Sequence, residues 1–293
     1  MLDSLWIMLG VFVVVMAALV YVLVRFRHRK GYNDEVPQVH GSTKLELLWT
    51  IIPAILLIII AVPTVEQSFV LGAVQPPKDR PIDVQVVGHQ FWFQFDYTRY
   101  HIDTADEMHV PVDRKINLSM TSADVMHSFW VPALAGKTDL IPGKITTLWF
   151  EATRPGIYTG QCAEYCGYGH ADMHIIVKAE SAAAFQRWVH RMHHPVSTPQ
   201  TALARQGMTI FAEVGCSACH TIAGTQFQGT IGPNLTDLAN RPIIAGGALP
   251  NTAPAMREWL RNPPGVVPGS LMPNLHLSSS QIDALTAYLR GLK

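Results

Sequence analysis

The four cysteines of this 293-residue chain form two close pairs, Cys162 with Cys166 and Cys216 with Cys219. Two such pairs could be two disulfides, two halves of a zinc site, or two separate prosthetic sites. These possibilities differ in which other side chains they need nearby. The residues that follow each pair therefore decide what chemistry is possible.

The first pair is followed, within twelve positions of Cys162, by an imidazole and a thioether, those of His170 and Met173. Thiolate, imidazole and thioether form a soft ligand set that favours copper over magnesium or calcium. A zinc site rarely includes methionine, and a disulfide would leave the two later residues without a role. The segment predicts a copper site, with zinc or a disulfide as the alternatives.

One copper ion bound by two thiolates would be unusual, because blue-copper sites use one thiolate, two imidazoles and a weak axial ligand. Two thiolates suggest two metals bridged by both sulfur atoms, and each metal then needs its own imidazole. His127, in the segment Asp-Val-Met-His-Ser-Phe-Trp-Val-Pro, is the best candidate for the second imidazole.

The second pair lies in Cys-Ser-Ala-Cys-His at 216–220, which is the attachment sequence of a c-type haem. Two thiols add to the haem vinyl groups, and the next residue, His220, supplies an axial imidazole. A redox-active pair of the thioredoxin kind is the alternative, but it would follow a βαβ pattern that this sequence lacks. The sequence predicts haem c bound covalently to Cys216 and Cys219.

Met272 is predicted as the second axial ligand, with His276 as its rival; Met208 and Met256 lie in segments with helical periodicity. The loop around Met272 resembles the methionine–proline loop of class I cytochromes c. His/Met ligation favours electron transfer over oxygen chemistry. Gly-Pro-Asn-Leu resembles the loop whose proline carbonyl, here that of Pro233, orients the proximal histidine.

Apolar residues make up 48% of the chain and are concentrated in its first 70 residues. The runs 5–24 and 48–65 carry no charge and are long enough to cross a bilayer as helices. Pro53 and Pro63 are tolerated in a membrane helix. We predict a transmembrane hairpin over 1–70, with helices at about 5–24 and 48–65.

Charge sets the predicted orientation of this hairpin. Asp3 precedes the first apolar run and a basic cluster follows it, the reverse of a signal peptide. The cluster is Arg25, Arg27, Arg29 and Lys30. Because positive loops stay in the cytoplasm, we expect loop 25–47 to lie inside. Both termini and both redox domains would then lie on the periplasmic or extracellular side of a bacterial cell membrane.

Residues 80–187 are predicted to form a β-sandwich, because apolar residues alternate with polar ones in short runs separated by turns. The runs are 82–86, 91–97, 116–120 and 145–150. With a net charge of zero and no basic run, nothing in the chain points to nucleic acid.

Residues 188–200 contain three histidines and two prolines and are predicted to be a polar linker, with metal binding as the alternative. Residues 201–293 are predicted to be an all-α cytochrome c domain of class I. Its first helix is expected to open at Thr198-Pro199 and to continue to about Glu213.

The chain ends with a predicted amphipathic helix. Ser280 and Asp283 form a plausible capping pair at its start. Three apolar residues share one face, as helical spacing requires. They are Ile282, Leu285 and Leu289.

Together, the hairpin, His-Ser-Phe-Trp-Val-Pro at 127–132 and Cys-x-Glu-x-Cys-Gly-x-x-His-x-x-Met at 162–173 resemble cytochrome c oxidase subunit II over residues 1 to about 185. In that family the outer domain is a cupredoxin fold that holds the dinuclear copper A centre. By this resemblance the copper ligands are His127, Cys162, Cys166, His170, Met173 and the backbone carbonyl of Glu164.

The resemblance implies two further roles. The Glu164 side chain would face a magnesium site shared with subunit I. Glu46, near the start of the second helix, matches a family carboxylate at the mouth of a proton channel; the alternative is an ordinary interfacial glutamate.

One departure from the family concerns the aromatic stretch Gly-His-Gln-Phe-Trp-Phe at 88–93. The family usually has tryptophan where this chain has Phe91, and that tryptophan accepts electrons from a separate cytochrome c. Its replacement argues against that docking route here. Trp92 is predicted on the opposite face of the strand, and Phe91, Phe93 and Phe95 are predicted to pack in the core. His40, His89, His101 and His109 belong to no motif and are predicted to be structural or surface groups.

A cytochrome c domain fused to subunit II resembles the caa-type oxidases. The resemblance implies that electrons pass from haem c to copper A and on to subunit I, with subunit III and an upstream donor as further partners. Oxygen reduction, coupled to proton translocation, would occur in subunit I. Quinol oxidases have a similar subunit but lack these copper ligands. A nitric oxide reductase and a solitary membrane-anchored electron shuttle remain as alternatives.

Overall fold

The computed structural model describes residues 2–27, 40–72 and 80–293, and the chain divides into two compact units, Met1–Leu71 and Gly72–Lys293. Within the loop predicted to be cytoplasmic, residues 28–39 lie outside the described residues, including Arg29 and Lys30.

The first unit contains two long apolar helices, α1 (Leu2–Arg25) and α2 (Thr43–Gly72). Both are long and apolar enough to cross a membrane, and nearly all of their described side chains are exposed. The prediction for the second helix was too short, because α2 continues past the charged residues Glu46 and Glu66. Glutamate is a good helix former, so an uncharged run marks the apolar part of a helix rather than its ends.

The second unit begins with a sandwich of two five-stranded sheets. One has the order β3-β2-β1-β5-β8 and the other β4-β10-β9-β6-β7. The strands are β1 (Ile82–His89), β2 (Trp92–Tyr97), β3 (Ile102–Ala105), β4 (Glu107–Pro111), β5 (Lys115–Ser122), β6 (His127–Trp130), β7 (Thr138–Leu140), β8 (Thr146–Glu151), β9 (Gly156–Cys162) and β10 (His174–Glu180).

The alternation of apolar residues decides which side of each sheet faces the core. In β1 the side chains of Ile82, Val84 and Val86 are buried while Asp83 and Gln85 are exposed. In β2 the buried set is Phe93, Phe95 and Tyr97. The predicted sandwich is therefore confirmed, with Trp92 on the face opposite Phe93 as expected.

A helix that the sequence analysis assigned partly to the linker completes this domain. Helix α3 (Ala182–His193) begins at the cap Ser181, and its side chains Phe185, Trp188 and Met192 enter the core of the sandwich. The predicted boundary at 187 is corrected by these contacts. The histidine-rich composition of the segment obscured this amphipathic spacing.

The cytochrome domain packs around a second core. Its elements are α4 (Ala202–Glu213), α5 (Cys216–Cys219), the two-stranded ladder of β11 (Ile243–Ile244) and β12 (Leu249–Pro250), α6 (Ala253–Arg261), α7 (Pro263–Val266) and α8 (Ser279–Leu289). Helices α4 and α8 cross where Gly207 lies against the backbone carbonyl of Ala284. Only a residue without a side chain permits this approach.

Two predicted helix starts are corrected. Helix α4 begins after Thr201, whose hydroxyl accepts a hydrogen bond from Ala204 N at 3.0 Å, so Pro199 precedes the helix. Helix α8 is capped by Ser278 and Gln281, which form a reciprocal capping box. Asp283 instead pairs with Arg257 at 2.6 Å. The predicted buried face of Ile282, Leu285 and Leu289 is confirmed.

Candidate functional site

Three segments of the sandwich bring the predicted copper ligands together. His127 begins β6, Cys162 ends β9, and the other three ligand side chains, Cys166, His170 and Met173, lie between β9 and β10. Pairing of β6 with β9 brings Phe129 opposite Cys162, and Cys162 N donates to the carbonyl of Met173 at 2.9 Å. Strand pairing thus joins residues that are 35 positions apart.

The two thiols are free and lie 3.8 Å apart, sulfur to sulfur. Each has its own imidazole: His127 Nδ1 is 3.9 Å from Cys162 Sγ, and His170 Nδ1 is 3.7 Å from Cys166 Sγ. Met173 Sδ lies 3.9 Å from Cys166 Sγ. The carbonyl oxygen of Glu164 lies 3.2 Å from Cys162 Sγ.

These residues fit a metal centre, with an imidazole beside each of the two sulfur atoms. The donor set is the soft one that selects copper. Hydrogen bonding between the thiols lowers the pKa of Cys162 and raises that of Cys166. A thiolate is the form that binds metal.

The His127 ring is fixed by a carboxylate on its far side. Its Nε2 lies 2.8 Å from Asp124 Oδ1, which leaves Nδ1 facing Cys162. Burial lowers the pKa of His127, but hydrogen bonds to Cys162 and Asp124 outweigh this and raise it. The backbone N–H of Gln90 donates to the other oxygen of Asp124 at 2.7 Å. Such outer partners orient metal-binding histidines.

An apolar cavity of the second unit is lined by all four predicted haem residues, Cys216, Cys219, His220 and Met272. His220 Nδ1 donates to the carbonyl of Pro233 at 2.7 Å, which leaves Nε2 available as a ligand. Burial lowers the pKa of His220, so its ring is held neutral.

Close packing beside His220 requires a glycine at position 232. A side chain on Gly232 would come within 2.7 Å of the His220 ring, so glycine keeps this face clear. His276 is exposed and is absent from the cavity lining, whereas Met272 is half-buried and belongs to it. Met256 also lines the cavity but is buried in α6. The site fits a covalent haem with His220 and Met272 as axial ligands.

The sandwich closes one side of this cavity, which the sequence did not predict. His89, Gln90, Phe91 and Trp92 line it together with the cytochrome residues. Phe91 is 7% exposed, as expected of a packed residue, but its neighbours belong to both domains. Nothing in the spacing of the aromatic residues could have revealed this.

Phe91 separates the copper loop from the cytochrome domain. Side chains built on Gly167 and Gly269 would come within 3.1 Å and 3.3 Å of its ring. Gly169 lies against both Phe91 and Val267, and Gly246 lies against the Phe91 carbonyl. Glycines on both domains thus allow close packing on this one residue.

The remaining predicted residues are more dispersed. The Glu164 side chain is half-buried, and Glu46 is exposed in the first turn of α2. His101 is exposed, and His89 stacks on Trp92 with ring centroids 4.3 Å apart. His109 is buried between Glu107 and Glu180, at 2.8 Å and 2.9 Å, in a structural role.

Fold and site define a class of protein: an electron-transfer protein with a two-helix anchor, a cupredoxin domain and a c-type cytochrome domain. Family profiles agree along the chain. The profile of the cytochrome c oxidase subunit II transmembrane domain matches residues 2–67, and the profile of its periplasmic domain matches residues 101–180. The cytochrome c profile matches residues 204–293.

Full-length relatives show the same combination. Cytochrome c oxidase subunit 2 of Alkalihalophilus pseudofirmus is 40% identical over 100% of this chain and 86% of its own length. That of Bacillus sp. PS3 is 40% identical over 92% of this chain and 80% of its own. The periplasmic domain of the Bradyrhizobium japonicum subunit aligns at 31% identity and a TM-score of 0.37, covering 38% of this chain and 92% of that domain.

The chain belongs to the cytochrome c oxidase subunit II family, in the form that carries a fused C-terminal cytochrome c domain. It is a membrane-anchored subunit of a haem–copper oxidase, with an extracellular domain, and it works together with subunit I. The predictions of family, fold class and oxidase membership are confirmed. Haem c and copper A are the cofactors that its domains imply.

Proposed function

We propose that this subunit receives electrons in its cytochrome domain, passes them through the cupredoxin domain, and delivers them to subunit I for oxygen reduction coupled to proton translocation. The observation that carries this proposal is the hydrogen bond from Gln90 Nε2 to the carbonyl of Cys166, at 2.5 Å. Gln90 and its neighbour Phe91 line the haem cavity, so one segment contacts both predicted redox sites.

When bound, haem c and the copper pair each supply a one-electron carrier. The copper ligands in this proposal are His127, Cys162, Cys166, His170, Met173 and the Glu164 carbonyl. The haem residues are Cys216, Cys219, His220 and Met272, with Pro233 orienting the imidazole.

The chain's own side chains keep the intervening region packed. Phe91 fills the space between the copper loop and the 267–272 loop of the cytochrome domain. His127 is fully buried, and Cys162 and Cys166 are each 3% exposed. Burial of these residues fits electron transfer at this site.

The fusion explains why this chain can dispense with the tryptophan used by a diffusing donor. A covalently joined cytochrome domain is present at a high effective concentration. Phe91 then packs against the fused domain instead of receiving a separate one. An upstream donor would deliver electrons to the cytochrome domain.

We also propose the finer assignments that resemblance suggests. Glu164 would contribute to a magnesium site shared with subunit I, and Glu46 would lie at the entrance of a proton channel. Subunit III is a further partner. The basic residues after α1 favour a cytoplasmic loop 25–47, with both redox domains outside a bacterial cell membrane.

Stopped-flow oxidation of haem c in the purified complex tests the electron route. In Cys162→Ser we expect haem oxidation by oxygen to stop while the haem spectrum stays unchanged. Ser217→Ala, next to Cys216 at the haem site, is the matched control and should retain normal oxidation. Unchanged haem oxidation in Cys162→Ser would show that the copper residues are not on the route.

The same complex distinguishes the terminal acceptor. We expect turnover with oxygen and none with nitric oxide. The opposite preference would assign the subunit to a nitric oxide reductase with the same electron-input parts.

A further inference from the structure

Ionic side chains are buried where the cytochrome domain meets the sandwich. Arg241, from the cytochrome domain, is only 9% exposed. It lines the haem cavity together with Asp106, and a small polar cavity together with Glu107 and His109. A buried charge is tolerated only when it is paired or hydrogen-bonded.

The guanidinium is held firmly from its own domain. Its Nη2 donates to the carbonyls of Asn234 and Thr236, at 2.7 Å and 2.8 Å. Both carbonyls follow Pro233, whose own carbonyl orients His220. The positive charge of Arg241 is therefore fixed relative to the haem cavity.

The other domain carries carboxylates on β3, β4 and the turn between them, and two of these, Asp106 and Glu107, line a cavity together with Arg241. Within the part of the chain that the structure describes, no donor reaches the buried atoms Asp103 Oδ1 and Glu107 Oε2, and the other Glu107 oxygen pairs with His109 at 2.8 Å. Asp106 is 7% exposed, and its Oδ1 accepts a hydrogen bond from Phe93 N at 2.9 Å. Buried carboxylate oxygens without donors need a nearby cation, and Arg241 brings one from across the interface.

We propose that Arg241 is a positioning residue for electron transfer: its charge, buried in cavities that Asp106 and Glu107 also line, holds the cytochrome domain in one orientation on the cupredoxin domain. The consequence for electron transfer rests on the proposed function. The docking itself is a property of the two domains and is measured separately.

Other contacts across the same face agree with a fixed orientation. Arg191, on α3, lies 3.6 Å from Asp237 of the cytochrome domain. The linker does not supply this orientation, because its residue Val196 pairs through its backbone with Lys293 and so moves with the cytochrome domain. Contacts across the interface, including the ionic ones of Arg241 and Arg191, therefore set the angle between the domains.

Pulsed spin-resonance of the full-length, metal-loaded complex measures the docking. The dipolar coupling between the oxidised copper pair and the ferric haem reports their distance distribution, which we expect to be narrow in the natural protein. Arg241→Gln removes the charge but keeps an amide donor for the Asn234 carbonyl. We expect the undocked fraction to rise roughly tenfold or more, because a hydrogen bond or ion pair of a charged group contributes this much. A second, slower phase of haem oxidation should accompany it.

Two further variants separate docking from folding of the cytochrome domain. Arg241→Lys retains the cation and should recover part of the narrow distribution. Arg257→Gln removes an ion pair within the cytochrome domain and should leave the distribution unchanged. Should Arg241→Gln fail to fold, Arg191→Gln provides the test from the exposed side of the interface and should broaden the distribution more modestly.

Hydrogen exchange supplies a readout that needs no electron transfer. In Arg241→Gln and Arg191→Gln, the backbone amides of residues 103–107 and 243–247 should exchange faster than in the natural protein. In Arg257→Gln their exchange should be the same as in the natural protein. A narrow distribution in both interface variants, or equal broadening in Arg257→Gln, would overturn the proposal. A rigid interface with no haem oxidation in the natural complex would instead contradict the proposed function.

Discussion

The side-chain amide of Gln90 donates a hydrogen bond to the backbone carbonyl of Cys166 at 2.5 Å, and this contact joins the haem cavity to the loop of the copper residues. The backbone N–H of the same residue donates to Asp124, which in turn holds His127. Gln90 thereby contacts the loop of Cys166 directly and His127 through the carboxylate of Asp124.

Replacing Gln90 by Met should disturb the copper loop without removing a ligand. Loss of the bond to the Cys166 carbonyl removes about 0.5–1.5 kcal/mol of stabilisation. We expect a changed copper spin-resonance spectrum and slower haem oxidation, with copper content retained. Gln94→Met, on the next strand, is the control and should keep the copper spectrum. If both variants gave the copper spin-resonance spectrum of the natural protein, the Gln90 contact would not shape the copper site.

Asp124→Asn should weaken copper binding because the carboxylate that orients His127 is lost. Outer partners of this kind change metal affinity by about 10- to 100-fold. Copper retention during titration with a chelator measures the effect. Asp139→Asn is a matched carboxylate change on neighbouring β7, and its retention should equal that of the natural protein. Equal retention in both variants would contradict the orienting role.

Gly232→Ala should disturb the haem site, because the new side chain would come 2.7 Å from the His220 ring. Overpacking of this kind costs about 1–3 kcal/mol. Covalent haem should still form at the two cysteines, while the haem potential and the His/Met absorption spectrum change. Gly136→Ala, where nothing lies within 4 Å, should change neither. An unaltered haem spectrum in Gly232→Ala would argue against His220 as a ligand in this pose.

Gly207→Ala should destabilise the crossing of α4 with α8, since the added methyl group meets the Ala284 carbonyl. We expect a loss of about 1–3 kcal/mol or more in the unfolding free energy, because backbone cannot move aside as a side chain can. Thermal unfolding followed at the haem absorption band measures it. Gln206→Ala, exposed on the same helix, should unfold as the natural protein does.

The His109 cluster should make the stability of the outer domain depend on pH. Burial lowers the pKa of His109, but hydrogen bonds to Glu107 and Glu180 outweigh it and raise the pKa above 6.5. Because the folded state then binds the proton more tightly than the unfolded state, this contribution is complete below pH 6.5 and is lost as the pH rises through the folded pKa.

Tryptophan fluorescence during chemical unfolding at several pH values tests this. The natural protein should lose stability above pH 6.5, and His109→Gln should flatten that part of the curve. His101→Gln, at an exposed position, should leave the curve unchanged. A slope that persists in His109→Gln would assign the pH dependence to another group.

Much of the chemistry could be predicted because it depends on short spacings. The segments around Cys162 and Cys216 contain most of their predicted ligands, and the structure brings the distant His127 and Met272 to them. The uncharged runs indicated both membrane helices, although α2 extends beyond its apolar part. The alternation from Ile82 onward correctly identified the core faces of β1, β2 and β5, whereas Ile145, in the last predicted run, is exposed and precedes β8.

Other features could not be predicted from the sequence. More than one residue could have capped each helix, and contacts between distant segments are not encoded in local spacing. Thr201 caps α4 and Ser278 caps α8, whereas the sequence favoured Thr198 and Ser280 as the starts of these helices. Trp188 lay in a polar stretch, and only its contact with the sandwich core shows that α3 belongs to that domain.

The sequence by itself determined the reactive groups, the membrane helices and the strand faces, since these depend on residue type and on spacing along the covalent chain. The tertiary structure alone decided that Phe91 packs against the fused cytochrome and that Arg241 is buried among carboxylates of another domain. The physical reason is that packing and desolvation depend on which distant surfaces meet, and local spacing carries no information about that.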